Sequence, residues 1–300
     1  MLRLGVLGMS KGNGHPYSWS AIFNGYDMEA MQQCGFPVIP DYLSKQRYPE
    51  DFISNAQVSH IWTQSLEQSK HIAKASRIEH VVARPEEMIG QIDGVLLARD
   101  DAENHLEFAR PFLKAGLPVY IDKPMALSVS DAEALFALEQ YPGQIFSCSA
   151  LRFASELLLS DQDRIDIGEI SHVTGLVPNS WDKYIIHAID PILENLGPQG
   201  NIEKYSCIKS QDRTAVSLRW ESGVTCNLTS LGALPTGIEI QFFGRAGSKK
   251  LVFRDSFSAF KKALVRFVDD SVEHPKSHRD RIMAAIDVVE KGALNNYESK

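Results

Sequence analysis

Apolar runs and segments of helical periodicity alternate through the first half of the chain. Buried strands are predicted at the apolar runs 2–7, 58–62, 81–82, 94–98, 118–121 and 144–149. Helices are predicted where apolar residues recur at three- and four-residue spacing, at 16–24, 66–76, 102–115 and 129–138. Strands that alternate with helices of this length form a parallel sheet with right-handed crossovers.

The pattern changes near residue 150, where short runs of alternating apolar and polar residues follow one another. Strands are predicted at 171–177, 203–210, 214–220, 224–230, 238–243 and 249–253. Two helices, at 257–269 and 277–291, are predicted to close the chain. Turn signals separate several of the strands, which favours an antiparallel sheet with one open face.

We therefore predict an α/β protein of two domains, a number that fits a length of 300 residues. Residues 1–150 are predicted to form a Rossmann-type dinucleotide-binding domain with a parallel sheet. Residues 151–300 are predicted to form an α+β substrate and oligomerisation domain with a large open, mostly antiparallel sheet. Because the predicted helices are too few to cover both faces of that sheet, we expect a homo-dimer or homo-tetramer that buries the open face.

Residues 25–57 interrupt the alternation of strands and helices in the first half. A simple strand–helix–strand unit would return to the sheet soon after its first helix. Here a long segment intervenes, and Pro37 and Pro40 make its most apolar part a poor central strand. Connections of this length are usually functional or have structure of their own, so we predict an insertion at about 25–57.

Composition and charge exclude several classes of function. The formal net charge of −7 argues against a nucleic-acid-binding protein, which would carry a basic patch. The four cysteines are far apart and form no C-x-x-C pair, so we predict neither a metal site nor a disulfide framework. The first residues lack the features of a signal peptide, and no apolar run approaches the length of a membrane span. We expect a cytoplasmic protein with no membrane partner.

The predicted strand at 118–121 ends in Asp122-Lys123-Pro124. Ligands of open parallel sheets bind outside the carboxyl ends of the strands, so a lysine at this place can reach a bound molecule. A loop lysine that is merely solvated is the alternative.

A longer stretch of sequence resembles a known family. Asp93–Ala98 (DGVLLA), His105, Ala115-Gly116 and Asp122-Lys123-Pro124 are similar to the corresponding motifs of the glucose–fructose oxidoreductase / inositol dehydrogenase / MocA family. Further similarities in register are at Arg152-Phe153, 167–170, His187 with Asp190, and 242–247. The resemblance implies an NAD- or NADP-dependent dehydrogenase or reductase, usually of a sugar, cyclitol or related hydroxy compound.

The resemblance also implies site residues. Lys123 corresponds to the lysine that contacts both cofactor and substrate, His187 to the acid–base histidine, and Asp190 to a substrate-binding residue. Lys183 stands where the family usually has an aspartate four residues before the histidine, so either a lysine replaces that carboxylate or Asp182 supplies it. On helical periodicity alone, the same residues form an ordinary solvated face with an ion pair. The helix that carries His187 is predicted to be capped by Asn179 or Ser180 and to end at Gly197.

The cofactor loop departs from the family's G-x-G-x-x-G motif. It runs from Gly8 to Gly14, with Ser10 and Asn13 at the places of the second and third glycines. The backbone of this loop and the Lys11 ammonium are nevertheless expected to hold a pyrophosphate. The predicted cofactor contacts are Gly8, Ser10, Lys11, Gly12, Thr63, Arg99 and Lys123.

Thr63 and then Gln64 occupy the place of the acidic residue that binds the adenosine ribose, so the sequence favours neither NAD nor NADP. Arg99 stands at the place of a family threonine, where it contacts a phosphate or pairs with Asp100 or Asp101.

The first predicted helix begins with aromatic and polar residues that suit a sugar. His15, Tyr17 and Trp19 are therefore candidate substrate-binding residues, although packing explains Trp19 equally well. The leading hypothesis is an NAD(P)-dependent oxidoreductase that acts on a sugar, sugar derivative or cyclitol. The alternative, motivated by the altered glycine motif, is a protein of the same fold that binds a sugar or nucleotide sugar without redox turnover.

Overall fold

The computed structural model describes residues 1–293, which divide into two compact units. The first unit comprises residues 1–125, 133–147 and 256–278. The second comprises residues 126–132, 148–255 and 279–293. Residues 256–278, near the end of the chain, thus group with the first unit. The predicted functional division at about residue 150 stays a prediction.

The first unit contains a six-stranded sheet in the order β3-β2-β1-β4-β5-β6. Its strands are β1 (Leu2–Leu7), β2 (Ala56–Trp62), β3 (His80–Val81), β4 (Gly94–Leu97), β5 (Val119–Ile121) and β6 (Ile145–Phe146). All neighbouring strands are parallel, which confirms the predicted Rossmann-type sheet. The strand order reverses between β1 and β4, and a ligand crevice forms at such a point in doubly wound sheets.

Helices follow the strands of this unit nearly where the sequence predicts them. They are α1 (His15–Asn24), α2 (Met28–Gln32), α3 (Val38–Leu43), α4 (Leu66–Ala75), α5 (His105–Lys114) and α10 (Ser256–Phe267). Short 3₁₀ turns lie at Pro85–Met88 and Ala102–Asn104, and a π-helical segment, Val268–Glu273, continues α10. Helix α6 (Val129–Phe136) has residues in both units.

The long connection after α1 has structure of its own, as predicted. Asp27 caps α2, since its side chain accepts a hydrogen bond of 2.8 Å from the amide of Ala30. Pro37 lies at the N-cap of α3 and Pro40 inside it. Met31 and Leu43 are fully buried, so this segment adds to the core of the first unit.

The second unit contains a mixed sheet in the order β12-β11-β7-β10-β9-β8. Its strands are β7 (Ile170–Val177), β8 (Ile202–Ser210), β9 (Arg213–Trp220), β10 (Thr225–Ser230), β11 (Glu239–Gly244) and β12 (Ser248–Val252). Only β7 and β10 pair in parallel, while the other neighbours are antiparallel, which confirms a mostly antiparallel sheet.

The two faces of this sheet differ in exposure. Val173, Val216 and Leu228 alternate with exposed or half-exposed neighbours and are fully buried, so they form a core face. Ser217 and Asn227 point to the opposite face and are exposed. The predicted open face is therefore present within this unit.

The helices of the second unit are α7 (Asp161–Ile167), α8 (Trp181–Tyr184), α9 (Ile186–Leu196) and α11 (Arg279–Ala293), with 3₁₀ turns at Ala150–Phe153 and Ser155–Leu157. Among the helices within residues 1–293, none combines the length and the apolar character needed to cross a membrane. The close approach of α11 to α8 depends on Gly292, since a Cβ atom there would lie 2.1 Å from Cε2 of Trp181.

Candidate functional site

Polar side chains connect the carboxyl ends of three neighbouring strands in the first unit. The Ser10 hydroxyl, after β1, donates a hydrogen bond of 2.5 Å to Asp100, after β4. The side-chain carboxamide of Asn13, a residue that also follows β1, donates a hydrogen bond of 2.8 Å from Nδ2 to Asp122, after β5. We call this group the strand-end cluster; its members are Ser10, Asn13, His15, Asp100, Asp122 and Lys123.

Lys123 is a buried member of the strand-end cluster. Its residue is 7 % exposed, and its Nζ atom lies 3.9 Å from a carboxylate oxygen of Asp100. The alternative of a solvated loop lysine is therefore wrong. A buried ammonium beside the crevice of a parallel sheet is placed to bind an anionic or polar ligand atom.

Asp122 is fully buried and accepts three hydrogen bonds. Its Oδ1 atom accepts a hydrogen bond of 2.8 Å from the backbone amide of Lys123, and its Oδ2 atom accepts one from the side-chain carboxamide of Asn13. Nδ1 of His15 lies 2.6 Å from the same Oδ2 atom. Burial alone would raise the pKa of Asp122, but the nearby His15 and Lys123 and the Asn13 hydrogen bond lower it to about 2. The carboxylate is thus ionised at neutral pH.

The three candidate substrate residues of α1 have different surroundings. Tyr17 is buried, and its hydroxyl forms hydrogen bonds with His71 at 2.6 Å and Gln68 at 3.0 Å. Trp19 is also buried and stacks on Tyr120, with ring centroids 4.7 Å apart. Packing therefore accounts for both aromatic residues, and their contact with substrate stays a prediction.

His15 differs from Tyr17 and Trp19 because its ring is partly exposed. One face of the imidazole stacks on Trp19 at 4.8 Å, and Phe260 meets it edge-on at 5.1 Å. The side chain keeps 16 % of its surface exposed. Of the three predicted residues, His15 is the one whose functional atoms can meet a ligand.

The glycine-rich loop folds into a tight turn. The amide of Asn13 donates to the carbonyl of Ser10 at 3.2 Å, and Gly12 within the turn has a φ of 83°, which favours glycine. Lys11 and Gly12 are exposed. Gly8 permits the close approach of the strand to α1, since a Cβ atom there would lie 2.6 Å from Cγ of Pro16.

The first turn of α1 is bonded within the chain itself. The amide of His15 donates to the side chain of Asn13 at 2.8 Å, and Pro16 has no N–H group. The amides of Tyr17 and Ser18 both donate to the carbonyl of Gly14. The usual phosphate-binding donors of a dinucleotide-binding helix are thus already used.

The turn at Lys11 and Gly12 keeps donors for an anion. Within residues 1–293, the backbone amides of these two residues form no hydrogen bond. A Cβ atom at Gly12 would meet no atom within 4 Å, so the space beside the turn is open. Together with the Lys11 ammonium, this donor set fits the pyrophosphate of a dinucleotide.

Thr63 and Gln64 make contacts within the protein at the end of β2. The Thr63 hydroxyl donates to the carbonyl of Ser65 at 2.7 Å. Two hydrogen bonds of 2.9 Å join the Gln64 carboxamide to the backbone of Met9: the Met9 N–H donates to Oε1 of Gln64, and Nε2 of Gln64 donates to the Met9 carbonyl. Gln64 thus holds the loop that follows β1, and Thr63 holds the start of α4. The cofactor contacts of both residues stay predictions.

Arg99 is buried and forms an ion pair with Asp101, one of the two partners that the sequence predicts. Its guanidinium also donates to the carbonyl of Met9 at 3.4 Å and lies 4.6 Å from the ring centre of Phe108. Arg99 therefore contacts the backbone of the glycine-rich loop at Met9. Its contact with a phosphate stays a prediction.

The second unit carries His187 in the first turn of α9. The sequence predicts one helix that begins near Asn179 or Ser180, whereas the structure has α8 and α9, which meet at Ile185. Ser180 lies at the N-cap of α8, but its side chain forms no capping hydrogen bond. Gly197 follows α9 with a φ of 72° and ends it, as predicted. Lys183 and His187 consequently lie on different helices.

A serine that sequence reasoning missed fixes the orientation of His187. The Ser149 hydroxyl lies 2.7 Å from Nδ1 of His187. The neighbouring Arg152-Phe153 motif was the only nearby sequence signal, and it does not point to the serine. Tyr184 meets the same imidazole edge-on, with centroids 5.4 Å apart.

Asp190 lies in a buried ionic network and not on a solvated helix face. Its carboxylate accepts the backbone amide of Ser149, and Nε of Arg281 lies 4.0 Å from its Oδ1 atom. Glu194 accepts hydrogen bonds from Arg152 at 2.8 Å and pairs with Arg281 at 3.2 Å. Burial raises the pKa of Asp190 against the opposing charges of Arg281 and Arg152. Its predicted substrate contact remains untested, while its support of Ser149 is clear.

Comparison with known proteins confirms the family resemblance. Residues 41–149 match the family described as "Oxidoreductase family, NAD-binding Rossmann fold". The matched region includes β2 to β6 and begins after the glycine-rich loop. A search of curated proteins finds no match.

Solved structures with a similar fold span nearly the whole chain. Apo scyllo-inositol dehydrogenase from Lactobacillus casei has a TM-score of 0.72 at 13% identity, over 97% of this chain and 95% of that one. Myo-inositol 2-dehydrogenase from Lactobacillus plantarum has a TM-score of 0.72 at 16% identity, over 96% and 95%. The L. casei enzyme with bound NAD(H) and scyllo-inositol has a TM-score of 0.70 at 14% identity, over 98% and 96%. At these identities the likeness establishes the fold.

Proposed function

Because residues 41–149 match an oxidoreductase family with an NAD-binding Rossmann fold, we propose that this chain oxidises or reduces a hydroxyl or keto group of a sugar, sugar derivative or cyclitol. The observation that carries the proposal is the buried Lys123 at the carboxyl edge of the parallel sheet. Several proteins of similar fold are inositol dehydrogenases, which supports a cyclitol or sugar as the substrate class. When bound, NAD or NADP supplies the hydride donor or acceptor.

Lys123 orients and polarises the reacting oxygen in this proposal. Its ammonium can donate hydrogen bonds to an alcohol or carbonyl oxygen, and a carboxylate oxygen of Asp100 lies 3.9 Å from Nζ. A carbonyl oxygen gains negative charge as it is reduced, so a fixed positive charge stabilises the transition state more than the ground state.

The family resemblance also implies proton transfer by His187. Its Nδ1 atom is bonded to Ser149, which holds the ring in one orientation. Lys183, on the preceding helix, takes the place of the family's aspartate.

The dinucleotide is proposed to bind beside the turn at Lys11 and Gly12. Its pyrophosphate would accept hydrogen bonds from the backbone amides of this turn and from the Lys11 ammonium. The adenosine ribose would lie near Gln64, just after β2. Since Gln64 carries no charge, NAD and NADP are both accepted in this proposal.

One observation favours a second function, namely binding of a sugar or nucleotide sugar without redox turnover. The first turn of α1 uses its amides within the chain, as described above. A helix start closed in this way would weaken the binding of a dinucleotide in the usual mode.

Calorimetric titration with NAD⁺, NADH, NADP⁺ and NADPH tests the proposal, followed by UDP-glucose as a nucleotide-sugar probe. We expect heat of binding with at least one dinucleotide. We also expect turnover, followed by nicotinamide absorbance, with a member of a panel that contains myo-inositol, scyllo-inositol and common aldoses. Heat with UDP-glucose alone, at millimolar concentrations of every ligand, would favour the second function.

A further inference from the structure

The strand-end cluster contains a histidine–aspartate pair that the proposed reaction does not yet use. His15 and Asp122 are joined at 2.6 Å through Nδ1 and Oδ2. Asp122 is the residue directly before Lys123, so the pair lies beside the lysine that is proposed to orient the substrate oxygen. A carboxylate on Nδ1 fixes the imidazole tautomer, directs Nε2 away from itself and stabilises the protonated ring.

The pair is held from all sides. Asn13 and the backbone amide of Lys123 fix the carboxylate, while Trp19 and Phe260 fix the ring. The residues of α1 and α10 that pack on the His15 ring are uncharged. The charged group that faces the ring is Asp122, at the end of β5, and the Lys123 ammonium lowers the pKa of that carboxylate. Nε2 of His15 forms no hydrogen bond or ion pair within residues 1–293.

Other histidine–carboxylate pairs of the first unit differ from this one. His278 pairs with Asp270 at 3.0 Å, but Arg266 binds the same carboxylate oxygen at 2.7 Å. His80 lies 3.7 Å from Glu79, and both side chains are at least half exposed. Neither pair belongs to the strand-end cluster.

His187 in the second unit contacts a hydroxyl group through Nδ1. Its Nδ1 atom is bonded to a serine hydroxyl, and a lysine takes the place of the family's aspartate before it. His15, in contrast, has the buried carboxylate of Asp122 on Nδ1.

We propose that His15 and Asp122 form an acid–base pair of the reaction, in which Nε2 of His15, in place of His187, exchanges a proton with the substrate oxygen. This inference rests on the proposed function. In the oxidising direction, the O–H bond of the substrate breaks and its proton moves to Nε2. The C–H bond on the same carbon breaks and its hydride moves to the oxidised nicotinamide, so a C=O bond forms. In reduction each transfer is reversed, and Asp122 stays ionised throughout.

The first part of the test examines the pair without ligand. Proton NMR of the protein, with histidine-selective ¹⁵N labelling, should show a far-downfield proton on Nδ1 of His15. The signal should vanish in His15→Asn and in Asp122→Asn, and it should persist in the matched control His80→Asn. The absence of such a proton in the wild-type chain would overturn the proposal, whatever the chain catalyses.

The second part measures turnover with the dinucleotide and panel substrate that the wild-type chain accepts. We expect His15→Asn to lower kcat by about 100-fold or more, the scale of a lost acid–base group, with little change in the Kd of the dinucleotide. His15→Ala should recover activity when imidazole is added, whereas His80→Asn should match the wild type. Wild-type kcat in His15→Asn, or no rescue of His15→Ala, would refute the role of His15.

The two proposals fail in different ways. A wild-type chain that binds no dinucleotide and turns over no panel substrate refutes the proposed function, and the role of His15 with it. A wild-type chain that is active, with a fully active His15→Asn, refutes the role of His15 alone.

Discussion

The hydroxyl oxygen of Ser149 lies 2.7 Å from Nδ1 of His187, and the backbone amide of the same serine donates to the carboxylate of Asp190. Asp190 therefore acts on His187 through Ser149. The H-x-x-D spacing on α9 places the aspartate one turn beyond the histidine, where it anchors the residue that orients the imidazole. This explains why Asp190 is buried although it belongs to a polar stripe.

Replacement of His187 and Ser149 tests this arrangement. If His187 and not His15 exchanges the substrate proton, His187→Asn should lower kcat by about 100-fold, because a proton-transferring group is lost. Ser149→Ala should lower kcat by about 10-fold with little effect on KM, since the imidazole remains but loses its orientation. The matched control is His172→Asn, because His172 forms a similar Nδ1 contact of 2.7 Å with the Thr225 hydroxyl. Equal kcat in His187→Asn and the control would remove His187 from the reaction.

Lys123→Met removes the ammonium and keeps most of the side-chain length. We expect turnover to fall by about two orders of magnitude, the scale of a lost electrostatic contact in the transition state. Because Lys123 is buried near Asp100, the variant should also unfold more easily, by about 1–3 kcal/mol.

A second variant separates these two effects of Lys123. Adding Asp100→Asn to Lys123→Met removes the carboxylate that faces the deleted ammonium, and it should restore part of the free energy of unfolding without restoring turnover. Urea titration and steady-state kinetics provide the two measurements. If turnover returns together with stability, Lys123 has a structural role only.

The sequence predicts the strands and most helices because each rests on local signals. The apolar runs of β1 and β4, and the turn after Gly197, are examples of local patterning that the fold preserves. The parallel pairing of β7 with β10 follows from sheet order, which no local pattern contains.

The candidate site is less predictable because its contacts join residues distant in sequence. Ser10 meets Asp100 and His15 meets Asp122 only after β1, β4 and β5 have paired. The family motif finds Lys123 by its position after a strand, but no motif marks Ser149. The closed first turn of α1 depends on the Asn13 side chain, which sequence reasoning treated as a lost glycine.

The pH dependence of stability should report on Asp122. Its pKa of about 2 lies below the ordinary value of 3.8, so its contacts contribute stability that is fully present above pH 3.8 and lost as pH falls toward 2. The difference corresponds to about 2 kcal/mol for this buried group. Asp122→Asn should therefore be less stable than the wild type at pH 7, with the gap closing between about pH 4 and 2. A gap that stays constant in urea titrations over this range would contradict the assignment.

Lys11→Gln tests the phosphate site at the turn. We expect the Kd for the dinucleotide to rise about 10-fold and its dependence on salt to weaken, because one exposed charge contact is removed. Lys45→Gln is the control, since Lys45 is also exposed and pairs with Asp41 instead. Calorimetry at two salt concentrations gives both quantities, and identical results for the two variants would place the phosphates elsewhere.

Self-association through the open face of the second-unit sheet gives a fifth prediction. We expect light scattering to report a mass of two or more times the 33.5 kDa of one chain. Ile208 lies on this face opposite Ala215 and is 71% exposed, so Ile208→Glu should shift the mass toward one chain. Ile165 on α7 is equally exposed, and Ile165→Glu should leave the mass unchanged. A wild-type mass of one chain at micromolar concentration would exclude this interface.

The carboxamide of Gln64 holds Met9 by both its amide and its carbonyl, so the loop after β1 is anchored before any ligand arrives. Folding has then already ordered this segment, and binding there would remove little further chain entropy. We expect a preorganised loop to bind its ligand with a small entropic penalty and fast association. Gln64→Ala would transfer the ordering of the loop to the binding step and make association slower and more enthalpy-driven.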